Sequence, residues 1–211
     1  LGYKFPANFD SPYLSPDIQD FWRRWHISLS SWLRDYLYIP LGGNRRGNAR
    51  RDVNLMTTMV LGGLWHGASF NFVIWGFLHG IALIVQRGWN SLVARRVPAM
   101  GLIGGFIGGA VTYYWVNLAW IFFRAADLGE AMAISRTYLT WSSTGDNVLP
   151  IAVWPLLAGL GLVHWVSHRF GAQEMIERLG PNRFAVTYGA IAAIAIAFVP
   201  LGYRPFIYFQ F

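Results

Sequence analysis

The sequence predicts an all-α fold: a polytopic transmembrane helical bundle containing amphipathic and broken or re-entrant helices. Three observations predict it. Hydrophobic residues make up 55% of the 211 and charged ones only 13%, about half the usual globular share of roughly 25%. Four long stretches, 53–86, 101–123, 148–167 and 184–203, contain no Asp, Glu, Lys or Arg. Trp (11), Tyr (10) and Phe (15) are abundant and the mean hydropathy is +0.35. These features exclude a disordered chain, an ordinary soluble domain and a coiled coil. There is no Cys, hence no disulfide framework, thiolate nucleophile or Cys-ligated metal. The net charge of +7 is read as a mark of cytoplasmic membrane edges rather than of nucleic-acid binding.

Residues 1–52 differ from the rest and hold 8 of the 17 basic residues. Ser15-Pro16-Asp17 reads as an N-cap followed by Pro at the first helical position. From there Ile18, Phe21, Trp22, Trp25, Leu29, Trp32, Leu33, Tyr36 and Leu37 recur at helical spacing. The spacing predicts one aromatic, basic amphipathic helix, ended by Pro40 and Gly42-Gly43, that suits a membrane face or packing under a bundle. The segment 42–51 reads as a flexible basic loop.

Residues 53–211 are expected to supply the transmembrane helices of the same domain. The stretch 53–86 has 34 residues, about 51 Å of helix, too long for one crossing and short for two. Its middle, Gly62-Gly63-Leu64-Trp65-His66-Gly67, is poor helix, so two short or broken helices are expected to meet there at a non-helical turn. The other three stretches fit one span each. Gly101, Gly104, Gly105, Gly108 and Gly109 form small-residue ridges for close packing. Asp127 and Glu130 form a D-x-x-E start for a short amphipathic helix. The distribution of Arg puts 42–51, 87–98 and 169–183 in the cytoplasm, with 125–147 and the C-terminus outside. Leu1 at the start, without a signal-peptide pattern, suggests the C-terminal part of a longer protein.

His66 is the leading candidate for chemistry. It lies about 21 Å of helix beyond Asp52, some two-thirds of the way across a core of about 30 Å. An ionisable group at that depth is functional by default, and the bland alternative is a neutral His bonded to a carbonyl. Trp65 and Gly67 beside it suggest tight backbone against a bulky wall. His26 shares a face with Trp22, Leu29, Ser30 and Leu33 on the predicted helix; it is either an interfacial ring packed on Trp or an orienting or proton-passing partner for a second buried His. His79 reads as packing. His164 and His168 sit at i, i+4 without a Glu, and no metal is expected there. Gly42-Gly43-Asn44-Arg45-Arg46-Gly47 lacks the Walker spacing but could gather phosphates by charge and free N–H groups, or lie against anionic lipid. Ser28, Ser30, Ser31 and Ser69 are outside any G-x-S-x-G context and read as structural. Paired carboxylates are absent from the apolar stretches, which argues against a carboxylate proton relay. Broken helices near mid-membrane are also a transporter pattern, so composition leaves a channel or transporter open.

Two blocks tip that balance. The run Asp20-Phe21-Trp22-Arg23-Arg24-Trp25-His26-Ile27-Ser28-Leu29-Ser30, then Trp32-Leu33-Arg34-Asp35-Tyr36-Leu37-Tyr38-Ile39-Pro40-Leu41-Gly42-Gly43-Asn44, and the run Gly62-Gly63-Leu64-Trp65-His66-Gly67-Ala68 resemble the membrane-bound O-acyltransferase family. The ending Phe206-Ile207-Tyr208-Phe209-Gln210-Phe211 resembles its bacterial branch, and within the family the chain as a whole most resembles the alginate O-acetyltransferase subgroup, with D-alanyl-transferring relatives further away. The resemblance implies a multi-helix membrane enzyme of the bacterial inner membrane, usually about twice this length. It maps the family's active-site histidine onto His66 and its second motif histidine onto His26. It implies acyl transfer from a thioester donor, here cytoplasmic acetyl-CoA, with no bound cofactor. The acceptor would be an exopolysaccharide hydroxyl, reached through periplasmic partner proteins; a D-alanyl, lipid or protein substrate is the alternative. His66 is then expected to act as general base at a pore-like gap around the break, with His26 near its cytoplasmic mouth. Trp65, Asn44, Arg23, Arg24, Arg45 and Arg46 are the expected substrate-binding residues, the arginines drawing in CoA phosphates.

Overall fold

The structure, a computed structural model, describes residues 6–92, 101–142, 151 and 153–197. The described residues are helical, without strands, in two compact units, 1–148 and 149–211. Arg95, Arg96 and Pro98 of the expected basic loop, residues 148–150 and 198–203 of the expected spans, and the ending 206–211 lie outside the described residues.

The first unit opens with a 3-10 turn, Pro12–Leu14, and α1, Ile18–Arg24. The N-cap of α1 is Asp17, not Ser15: its carboxylate accepts from Asp20 N at 2.8 Å. Ser15 instead closes the 3-10 turn and is buried. Asp17→Ala is expected to lower unfolding free energy by about 1 kcal/mol, read as an earlier thermal transition in detergent.

The single amphipathic helix expected over 18–37 is broken. Trp25 is extended and His26 adopts the left-handed conformation (φ 42°, ψ 55°) before α2, Ile27–Leu33. The cause is not local. Ile27 N donates to Asn8 O (2.9 Å), and Ser28 donates from both N and Oγ to Asn8 Oδ1 (3.1 and 2.9 Å). Asp10 N donates to Arg24 O (2.9 Å), so the preceding segment satisfies the backbone that the break exposes. A π-helical turn, Arg34–Tyr38, follows α2. The expected flexible loop is in fact ordered. Gly42 and Gly43 turn the chain at positive φ, and from Gly47 the basic residues already form the first turns of α3, Gly47–Leu64.

The stretch 53–86 breaks where expected, but its arms are long: α3 has 18 residues and α4, Phe70–Leu92, has 23. Gly62 and Gly63 remain helical. Gly62 faces the Leu33 side chain of α2, while Gly63 and Gly76 are contact points between α3 and α4: a Cβ on Gly63 would meet the Phe72 carbonyl, and one on Gly76 the Met59 carbonyl. The hairpin returns the chain so that Arg87 pairs with Asp52, and Arg51 Nε lies 3.5 Å from the same carboxylate. The basic ends of α3 and α4 thus share one end of the hairpin.

Against α4 packs α5, Gly101–Arg124, with Trp115 Nε1 donating to Leu78 O at 3.0 Å. The Gly ridge of α5 receives chain rather than another helix, since Gly108 faces the Pro16 carbonyl. α6, Leu128–Thr140, starts as predicted: Asp127 accepts from Glu130 N (2.9 Å) and Glu130 accepts from Ala126 N (2.7 Å). Tyr114 and Tyr138 stack at 4.6 Å and each hydroxyl donates to the other's carbonyl, fastening α6 to α5. α1 lies in this core, with Phe21 and Ile18 buried against Val116. It packs alongside α4 and α5.

Two helices among the described residues are long and apolar enough to cross a membrane, spanning Phe70–Ser91 and Gly101–Arg124. The second unit contains α7, Val153–Phe170, α8, Ala172–Glu177, and α9, Pro181–Ala197. Gly171, at φ 60°, ends α7.

Candidate active site

His66 stands in the tight turn between α3 and α4. Trp65 N donates to Leu61 O (3.0 Å), His66 N to Gly63 O (2.9 Å) and Gly67 N to Leu64 O (3.1 Å). Ser69 then opens α4, its hydroxyl accepting from Asn71 N at 3.3 Å. Asn71 Nδ2 reaches Ala125 O (3.2 Å), tying the turn to the end of α5. The His66 side is therefore the end of the hairpin opposite Asp52 and Arg87. The residue is 6% exposed. Its imidazole is walled by Phe123 (ring centroids 4.9 Å), Trp65 (5.1 Å), Trp75 (5.3 Å) and Phe72 (6.1 Å).

His26 arrives beside it from the other direction. Gln19 N donates to Gln86 Oε1 (3.0 Å) near the basic end of α4, while Trp22 meets Trp75 at 5.9 Å. α1 thus runs antiparallel along α4 toward the turn. The break after Arg24 then leaves His26 close enough to His66 for their charges to interact. This overturns the shared helical face of Trp22 and His26, because the two residues stand on either side of the break. Partial desolvation holds the His26 imidazole below its ordinary pKa, opposed by a backbone hydrogen bond. Its neutral form therefore prevails near pH 7.

A cavity of about 560 Å³ opens between α1, α2, the π turn, α3 and α4. Arg23, Arg34 and Arg87 line it, with the amides of Gln19, Asn44, Gln86 and Asn90, the hydroxyls of Ser30, Ser31, Thr58 and Tyr38, and apolar Trp22, Leu55, Met59 and Leu83. The Tyr38 hydroxyl, at the end of the π turn, donates to Asn44 Oδ1 at 2.5 Å. The lining does not include either imidazole. From the cavity's Trp22 wall the ring contacts run on to Trp75 and from Trp75 (5.3 Å) to His66.

Of the residues expected to bind substrate, Arg23 and Asn44 line this cavity. Arg24 does not line it and pairs with Asp20 (Nε–Oδ2 2.7 Å). Arg45 and Arg46 are exposed on the turn outside it, and Trp65, 60% exposed, packs on the His66 ring instead. Arg34, Tyr38 and Arg87 escaped the sequence reading; Arg87's place directly after an uncharged stretch is the one local signal for it. Among the described residues no group of three His, Asp or Glu side chains could hold a metal ion.

Residues 4–126 match the family described as MBOAT, membrane-bound O-acyltransferase. The chain belongs to this family. Both histidines, the arginine-lined cavity and the α3–α4 hairpin fall inside the matched segment. Among curated relatives, the probable alginate O-acetylase AlgI of Pseudomonas putida is 38% identical over 240 residues, covering 100% of this chain and 47% of that protein. The peptidoglycan O-acetyltransferase of Helicobacter pylori is 48% identical over 133 residues, 63% of this chain and 25% of that protein. The teichoic acid D-alanyltransferase of Streptococcus thermophilus is 38% identical over 96 residues, 42% and 23%. The chain spans less than half the length of these family members.

Proposed function

We propose that the protein to which this chain belongs transfers an acetyl group from a thioester donor such as acetyl-CoA toward hydroxyls of an exopolysaccharide such as alginate. In this reading it works in the bacterial inner membrane, with periplasmic partners completing delivery. The observation that supports the reading is that His66 is linked through one aromatic ring, Trp75, to Trp22 on the wall of a cavity lined by three arginines, with α1 carrying His26 toward the same end of the hairpin.

A hydroxyl is a weak nucleophile at neutral pH. Neutral His66 accepts the acceptor's proton as its oxygen attacks the thioester carbonyl. The carbon–sulfur bond then breaks, and the departing sulfur takes the proton back from the imidazolium. His26 orients a reactant or steadies the charge state of His66. Phosphates of the donor fit the basic end of the cavity, where Arg23, Arg34 and Arg87 supply charge-assisted donors. The reactive end of the donor then points along the cavity to Trp22. Burial of His66 among rings keeps bulk water from competing for the thioester.

Arg23→Glu is expected to raise the donor KM about tenfold, equivalent to about 1.4 kcal/mol, with kcat little changed. Steady-state kinetics with acetyl-CoA at low salt checks this. The deciding experiment incubates the purified full-length protein with acetyl-labelled CoA and an alginate oligosaccharide. Label appearing as ester on the sugar, and lost on substituting His66, supports the reading. Label left on CoA, or moved equally by the His66 variant, overturns it. Running D-alanyl thioester carriers alongside separates the acyl classes.

A further inference from the structure

We propose that His79 is a positioning residue for acyl transfer, holding the Trp75 indole in place against His66. The proposal rests on the reading of His66 as the base. His79 lies one helical turn after Trp75 on α4, so the two rings share a face. It is fully buried. Its ring meets Trp75 edge-to-face at 4.7 Å, Trp22 edge-to-face at 5.0 Å, and Phe21 in a stack at 6.1 Å. Trp75, 3% exposed, also meets His66 edge-to-face at 5.3 Å. One indole therefore contacts two imidazoles. Trp75 is also the ring that links His66 to the cavity wall at Trp22.

Neither nitrogen of His79 has a hydrogen-bond partner among the described residues. Burying an imidazole on those terms is costlier than burying a phenyl or isobutyl group of similar bulk. Bulk alone does not call for His here. What the imidazole adds is a polarised edge for the electron-rich face of an indole, which fixes ring angle more strictly than apolar packing does. Trp75 sets one wall of the His66 site, and a small misplacement of a base is expensive in rate.

The test uses the full-length protein with His79→Phe, His79→Gln and Trp75→Phe, measuring membrane abundance, kcat and the KM for acetyl-CoA. His79→Phe is expected to accumulate normally, keep its KM and lose about 10- to 100-fold in kcat. His79→Gln, which keeps a polar N–H, is expected to recover part of that loss. Adding His79→Phe to Trp75→Phe should cost little more, since the second residue acts through the first. Wild-type kcat in His79→Phe overturns the proposal, as does a loss confined to abundance with normal kcat per folded molecule. If His79→Phe does not fold, His79→Gln decides: reduced kcat at unchanged KM supports positioning, and wild-type kcat overturns it. An active His66→Ala would instead defeat the reading of His66. A dead His66→Ala beside a normal His79→Phe defeats only this inference.

Discussion

His66→Ala in the full-length protein is expected to lower the proposed acyl transfer about 10²–10⁴-fold, the usual contribution of a general base. The argument is geometric. The residue is 6% exposed, yet its backbone is held by the turn closing α3 and its ring by four aromatic neighbours. Few apolar sites would hold an imidazole so firmly for packing alone, because burying its nitrogens costs free energy that a Leu or Phe avoids. Truncation also opens a void among those rings, so stability must be followed separately. His66→Gln keeps polarity and approximate volume but cannot shuttle a proton at neutral pH. It is expected to fold normally and to share the kinetic loss. Acetyl ester on the polymer, normalised to membrane abundance, is the measurement. Equal acetylation in the two variants and the wild type would show that His66 is only a packing residue.

Gly76→Ala carries the largest expected effect on folding. The added methyl would run into the Met59 carbonyl, and its counterpart at Gly63 into the Phe72 carbonyl. Backbone cannot step aside as a flexible side chain can, so α3 and α4 must separate. Overpacking of this kind costs about 1–3 kcal/mol or more. Separation would also move the turn carrying His66, so activity is expected to fall with stability. Gly88→Ala on the same α4 is the control. Nothing stands within 4 Å of its new methyl, and Ala favours helix over Gly by about 0.5–1 kcal/mol. Thermal unfolding of the detergent-solubilised protein is expected to come earlier for Gly76→Ala and unchanged or later for Gly88→Ala.

Local patterns carried much of this protein. The run of 34 uncharged residues and its glycine-rich middle located the turn that bears His66. D-x-x-E located the start of α6. The glycines were legible as unusual but not for the right reason. Gly62 and Gly63 look like helix breakers in one dimension and are contact points between helices in three. The basic segment after Gly47 looked like loop because Arg, Asn and Gly dominate it. Its helix is secured from outside by the partner helix, through Asp52 and Arg87.

The sequence by itself determined the all-α membrane class, the position of the central break, the family resemblance, and His66 and His26 as the residues to follow. These depend on hydropathy, short-range spacing and motif identity. Only the tertiary structure decided where His26 goes. The helix predicted through it is broken because Asn8, 19 and 20 residues earlier, takes over the hydrogen bonds of Ile27 and Ser28. That bond is not encoded in any window of helical periodicity. The same holds for Arg87, which joins Arg23 and Arg34 on the cavity because the α3–α4 hairpin returns it there. Contacts between distant segments outweigh local propensity here, since the backbone groups freed at the break find their hydrogen bonds in the segment around Asn8.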